Sequence, residues 1–292
     1  MRSITANAVR QIRELPSPKG HLLLGQLPAF QQGPKHSVLE TWANECGSIY
    51  RIRLGLTPFV VSTDPDFNGK ILKLRPEGFQ RHPKISEILE EIGVYSVFNA
   101  EGGQWYHHRK PVAEALNLRK VKSFYPLLHH KTEQLLHRCQ RAALQQHKVE
   151  VRSLIQRFTL DVTTVIAFGY PLNTLKGEED ELHCALQLVF PTVNRRMSAA
   201  LPTWRWWKSK ADRDFEKALH YIRSAIHSFI EKARQARAGS GNTTPSASNF
   251  LASLLAEQET NGLSDGDVFS AVFTLLLAGE DTTANSNAWA LI

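Results

Sequence analysis

The residue pattern predicts a mainly α-helical fold with one small β-sheet near the N-terminus. Three observations carry this. Apolar residues recur at helical spacing almost continuously from about residue 65 onward, and the clear period-two runs lie before that point. The Gly- and Pro-rich stretches are short, so no linker separates two cores. A single domain over residues 1–292 is therefore expected. A chain of 292 residues, 42% hydrophobic and 22% charged, has the composition of a soluble protein with a sizeable core.

The elements follow in order. "LPSPKGHLLLGQLPAF" (15–30) is punctuated by proline and glycine and reads as an extended entry segment. "HSVLETWANECG" (36–47) has apolar spacing near 3.6 and stops at Gly47. "SIYRIRLG" alternates, "PFVVSTDP" is β-branched, and the loop at 55–58 makes them a hairpin. Helices are then expected at 65–75, 84–92, 103–115, 119–146, 151–168, 178–197, 209–236, 247–258 and 264–292. Gly169-Tyr170-Pro171 ends one of them, and "AGSGNTTPSAS" (238–248) reads as a mobile polar loop.

Composition narrows the function. A net charge of +7 and a pI near 9.4 suit an acidic protein partner or a membrane surface. With no long basic block and no aromatic-basic repeat, nucleic acid is not expected. Cys46, Cys139 and Cys184 stand far apart without CxxC spacing, which argues against a zinc site or disulfide framework and fits a reducing cytoplasm. "MRSITANAVRQIREL" has no apolar leader, and no run of about eighteen apolar residues occurs elsewhere. A soluble cytoplasmic protein without a transmembrane anchor is the expectation.

The last helix carries the sharpest signal. Ser264 and Asp267 form a capping box, with Leu263 and Val268 placed to staple the entry. Val268, Phe269, Val272, Phe273 and Leu275 to Leu277 then leave no polar face, so the helix is buried. Into this apolar run fall Gly279, Glu280, Asp281, Thr282 and Thr283, and "AWALI" resumes apolar character afterwards. In an α-helix Ala278, Asp281 and Thr282 share one face. Thr282 is placed to bond back to a carbonyl of its preceding turn. A buried carboxylate there needs partners or chemistry.

"AGEDTT" resembles the central-helix motif of the cytochrome P450 family, and other segments agree in the right order. "GGQWYHHRK" (102–110) resembles the family's haem-contacting helix, with Trp105 and Arg109 at W-x-x-x-R spacing. "PSPKGHLLLGQL", "YRIRLG" and "TLDVTTVIAFGYPL" resemble its proline-rich entry, its first strand and the helix ending in Phe-Gly. The resemblance implies a P450-like fold and haem b. It implies a proton-delivering acid–alcohol pair at Asp281 and Thr282, and an oxygen groove at Ala278 and Gly279. Trp105 and Arg109 would hold a haem propionate, joined by His108. It also implies an apolar small-molecule substrate and electrons from NAD(P)H through an acidic ferredoxin or flavodoxin-like partner. That partner would dock on the basic cluster Arg109, Lys110, Arg119, Lys120 and Lys122.

The family's iron ligand is a cysteine in a Phe-x-x-Gly-x-x-x-Cys-x-Gly loop, and none of the three cysteines has that context. The Glu-x-x-Arg helix is also missing. With no stop signal at Ile292, the chain reads as an N-terminal portion, incomplete at its C-terminus and inactive alone. A haem-free binding or scaffold protein, or a non-functional remnant, is the alternative.

Other patterns are weaker. His107–His108 and His129–His130 are neighbours that should point apart on a helix, so they read as poor chelates. No HExxH or P-loop occurs. "LPTWRWWKSKADR" (201–213) sets three tryptophans beside basic residues, either packed on its own helices or facing a membrane or greasy substrate. Asn242-Thr243-Thr244 is a glycosylation sequon. Phe79, Val97, Phe98 and Leu188 are candidate substrate contacts.

Overall fold

The computed structural model describes residues 11–75, 77–169, 172–176, 181–199, 201–239 and 249–291. The fold is mainly helical with one two-stranded antiparallel sheet, as the pattern predicts. Its packing falls into two compact units, Met1–Gln80 and Arg81–Ile292.

In the first unit the entry segment is not wholly extended. It closes into a short helix α1 (Leu27–Gln31), because Pro28 sits where its fixed φ starts a helix. Helix α2 (Lys35–Cys46) stops at Gly47, whose φ of 93° is open to glycine. Strands β1 (Ile49–Leu54) and β2 (Thr57–Ser62) pair with Leu54 opposite Thr57. The turn is thus only Gly55-Leu56, with Gly55 at φ +67° as a II′-type hairpin requires. Tyr50 is fully buried beside Trp42 and Ile52, and its hydroxyl donates to the Leu39 carbonyl at 2.8 Å. Helix α3 (Pro65–Lys73) is capped by the Asp64 carboxylate, which accepts from the Phe67 N–H.

Among the described residues the second unit is built of helices: α4 (Pro83–Glu91), α5 (Gly102–Ala115), α6 (Leu118–Ser123), α7 (Tyr125–Leu144), α8 (Val151–Phe168), α9 (Glu181–Gln187), α10 (Val189–Ser198), α11 (Lys210–Gly239), α12 (Phe250–Asn261), α13 (Asp265–Leu277) and α14 (Thr283–Ala290). Two helices expected to be single are broken at prolines. The 119–146 helix divides at Phe124 because Pro126 lacks an N–H and can sit only in a first turn. The 178–197 helix divides at Leu188, because Pro191 cannot bond to the carbonyl of residue 187. The polar loop and its sequon at 242–244 lie outside the described residues. Among the described residues, no helix is long and apolar enough to cross a membrane.

The core runs through this unit as one apolar cluster that includes Ile88, Leu160, Leu186, Ile222, Phe250 and Phe273. Helix α13 lies in it, with Val268, Val272, Phe273 and Leu276 fully buried. At its start Ser264 and Asp267 exchange side-chain-to-backbone bonds as the capping box predicts. Leu263 and Val268 are both buried there.

A second box, unread in the sequence, joins Ser209 and Asp212 at the start of α11. Burial alone would raise the Asp212 carboxyl, but bonds from Ser209 and Arg195 outweigh it and hold it down at about 2. A depressed carboxyl stabilises the fold above its unfolded value, and that contribution vanishes as pH falls through the folded one. The stability gap between wild type and Asp212→Asn should therefore narrow between about pH 4 and 2 in urea titrations. A gap independent of pH would contradict this assignment.

Candidate active site

The central helix does not run unbroken from 264 to 292. Between α13 and α14, residues Ala278–Thr282 widen into a single π turn. Two hydroxyls add bonds to ladder carbonyls there. Thr159 of α8 donates to the Glu280 carbonyl at 3.1 Å, and Thr282 donates back to Ala278 at 2.6 Å. A side chain inserted into the ladder is a known cause of such a distortion, and π turns concentrate at functional sites.

The widened turn redistributes the polar residues. Ala278 and Thr282 are on the exposed side. Asp281 is half-buried and turns to α8 instead of sharing their face. Its carboxylate accepts from Gln156 Nε2 at 3.4 Å and lies 3.6 Å from the Arg152 guanidinium. Gly279 does not face the open side either. A Cβ there would lie 2.3 Å from Thr163 Oγ1, so this glycine is where α8 approaches most tightly. Arg152 also donates to Asn285 at 3.0 Å, tying α8 to α14.

Glu280 is buried, and its Oε1 lies 2.9 Å from His183 Nδ1 of α9. That pairing answers how an apolar helix accepts the acid. From His183 a chain of amides leads back to Asp281. The Gln187 amide is 3.0 Å from His183 Nε2 and donates to Gln156 Oε1 at 3.3 Å. Beside this chain lies a cavity of about 510 Å³, lined by Leu186, Phe190, Leu277, Glu280 and Asp281 among others, through which solvent can reach Asp281. Sequence reasoning missed Arg152, Gln156, His183 and Gln187. The available signal was Gln156 and His183 falling on otherwise apolar helix faces.

On α5, Trp105 is half-buried, and the exposed Arg109 guanidinium lies 6.0 Å from its ring. Among the described residues neither side chain has a hydrogen bond or ion pair, so an indole N–H and a guanidinium are free for a carboxylate. His108 does not join them. It is only 4% exposed, edge-on to Tyr95 at 5.4 Å, with Nδ1 3.8 Å from Asp267 at the start of α13. Burial lowers its pKa, against the opposing pull of Asp267. His107 also reaches Asp267, at 3.4 Å. The expectation that these neighbours point apart therefore fails, because the carboxylate of another helix draws both rings to one place.

Residues 93–99 dock on the central helix upstream of the π turn. Ser96 Oγ and Thr274 Oγ1 are 2.6 Å apart, and the Tyr95 N–H donates to Ser270. Of the expected apolar contacts, Leu188 lies elsewhere, in a groove with Cys184 and Tyr221. Of the basic cluster, Lys120 is tied to Ser253 at 2.9 Å, while Arg109, Lys110, Arg119 and Lys122 are exposed. Trp204 is buried and donates to Glu91, whereas Trp206 and Trp207 are exposed.

A family model described as Cytochrome P450 matches residues 15–292. The chain belongs to the cytochrome P450 family. It is similar to "Protein LUTEIN DEFICIENT 5, chloroplastic" of Arabidopsis thaliana, 24% identical across 83% of this chain and 42% of that protein. Cytochrome P450 6j1 of Blattella germanica is 26% identical across 80% of this chain and 47% of its own. Human cytochrome P450 4X1 is 25% identical across 97% of this chain and 57% of its own. This P450 chain thus spans about half the length of the curated relatives it matches.

The family's haem fits the residues present on one count and lacks them on another. The uncommitted Trp105 and Arg109 donors suit a propionate, and the open Ala278–Thr282 side has the small residue and hydroxyl that oxygen chemistry needs. None of the three cysteines has the Phe-x-x-Gly-x-x-x-Cys-x-Gly context of the family's thiolate ligand. Burial, reinforced by Glu45, raises the Cys46 thiol, and Cys139 and Cys184 are exposed on α7 and α9.

Proposed function

We propose that the whole protein is a haem-thiolate monooxygenase that inserts one oxygen atom of O2 into an apolar organic substrate. The observation that carries this reading is the π turn itself. It presents Thr282 on the open side and ties Asp281 through Gln156 and Arg152 to a solvent-reached cavity. Relatives at 25% identity are named for carotene and 11-oxo-beta-amyrin, which supports a greasy substrate class.

When bound, the haem supplies oxygen activation, with a cysteine thiolate pushing electron density toward O–O cleavage. Trp105 Nε1 and the Arg109 guanidinium would hold a propionate by charge-assisted bonds. Arg152, 3.6 Å away, keeps the Asp281 carboxylate oriented. Asp281 exchanges protons with water in the cavity, and Thr282 Oγ1 swings from the Ala278 carbonyl to donate its proton on the open side. Ala278 leaves that side uncrowded. His183 and Gln187 fix Gln156, and so the position of the Asp281 oxygen. Electrons come from NAD(P)H through an acidic ferredoxin or flavodoxin-like protein in the cytoplasm. It docks on Lys110, Arg119 and Lys122, where opposite charge speeds encounter.

In the complete enzyme, Thr282→Ala should leave NAD(P)H consumption largely intact while product falls and hydrogen peroxide rises. Parallel assays of cofactor, product and peroxide check this. Unchanged coupling would remove the hydroxyl from the proposed proton route.

A further inference from the structure

We propose that His107, His108 and Asp267 form a binding site for one divalent metal ion of the zinc class, tying α5 to the first turn of α13. Their ligand atoms all lie within 4.8 Å of one another. The carboxylate-to-imidazole spacings are 3.4 Å and 3.8 Å. Zinc bonds nitrogen and carboxylate oxygen at about 2.0–2.2 Å, so two ligands of one ion stand roughly 3–4 Å apart. The remaining closure falls to His107, whose side chain is 42% exposed and free to turn. That exposure also gives the ion an entry path and leaves a position for water.

The placement of His108 also suits a site. The residue is only 4% exposed. Its Nδ1 is aimed at Asp267, too far for a hydrogen bond and close enough to share an ion. The protonation states also suit metal. Burial favours the neutral imidazole of His108. Burial would raise Asp267, but bonds from Ser264 and His107 outweigh it and keep it ionised. Those Ser264 bonds, at 2.9 Å from its N–H and 2.8 Å from its hydroxyl, orient the carboxylate as outer partners orient a metal ligand.

The test uses the full-length protein dialysed against chelator and titrated with zinc by calorimetry and with cobalt(II) by visible absorption. One equivalent should bind, over any bound by the haem group. His107→Ala changes an exposed side chain and should leave the fold and haem content intact. Loss of an outer-shell partner alone weakens metal binding about 10–100-fold, so loss of this ligand should weaken it at least about tenfold. His129→Ala, in the other histidine pair, should bind as wild type does. No binding by wild type, equal binding by His107→Ala, or equal loss in His129→Ala would each overturn the proposal.

Discussion

Replacing Lys131 by methionine is expected to lower the unfolding free energy by about 3–5 kcal/mol, the usual result of breaking a buried ion pair from one side. Lys131 is 2% exposed and Asp161 is fully buried, and their charged atoms are 3.1 Å apart. The ammonium's three protons each have an acceptor: Asp161 Oδ2, Gln134 Oε1 and Asn173 Oδ1, all at 3.1 Å. The other Asp161 oxygen accepts from the Thr174 N–H and hydroxyl at 2.8 and 2.9 Å. Methionine fills much of the lysine volume but leaves the carboxylate without its cation. Adding Asp161→Asn should recover part of the loss, because a neutral amide still accepts from Thr174 and needs no ammonium. Urea titrations of both single variants and the double variant check this. A loss below about 1 kcal/mol for Lys131→Met would mean the pair behaves like an exposed one. The pair anchors α7 to α8, and α8 carries Gln156, Thr159 and Thr163 to the π turn.

That dependence on α8 explains what could and could not be read from the sequence. The bounds of α8 were legible because Gly169 supplies a left-handed stop and the apolar spacing is regular throughout. The motif residues of α5 and the central helix were legible because their chemistry is local: a tryptophan and an arginine one turn apart, and acids interrupting apolar residues. The breaks at Phe124 and Leu188 were missed because Pro126 and Pro191 were absorbed into long apolar repeats instead of being treated as first-turn residues. The π turn could not be read, since the Thr159 hydroxyl that occupies the Glu280 carbonyl is 121 residues away. The same holds for His108. Its place on α5 suggests a partner of Arg109, and only the approach of Asp267, 160 residues from His107, draws that corner of α5 elsewhere. Side-chain identity set the menu of roles, and contacts distant in sequence selected among them.

Gly279 is the position where this selection has the largest mechanical consequence. Read by itself it opens room for oxygen; in the fold its α-carbon abuts Thr163, where a Cβ would meet Oγ1 at 2.3 Å and Cγ2 at 2.7 Å. Alanine would gain about 1 kcal/mol of helix propensity at an unconstrained site, but overpacking a tight core contact costs about 1–3 kcal/mol. Gly279→Ala should therefore be no more stable than wild type. Gly279→Val, with two more carbons and little propensity gain, should lose about 3 kcal/mol. Thr163→Ala removes both offending atoms, so pairing it with Gly279→Ala should return about 1–2 kcal/mol of interaction energy in a double-mutant cycle. A Gly279→Ala protein stabilised by the full propensity gain, or a cycle with no coupling, would show that α8 can retreat freely. The cycle bears on chemistry as well. Gln156 reaches Asp281 at only 3.4 Å, so any separation of α8 from the π turn that relieves the clash also breaks that bond. In the complete enzyme, Gly279→Ala should then release more peroxide per NAD(P)H consumed, with Thr282 still in place.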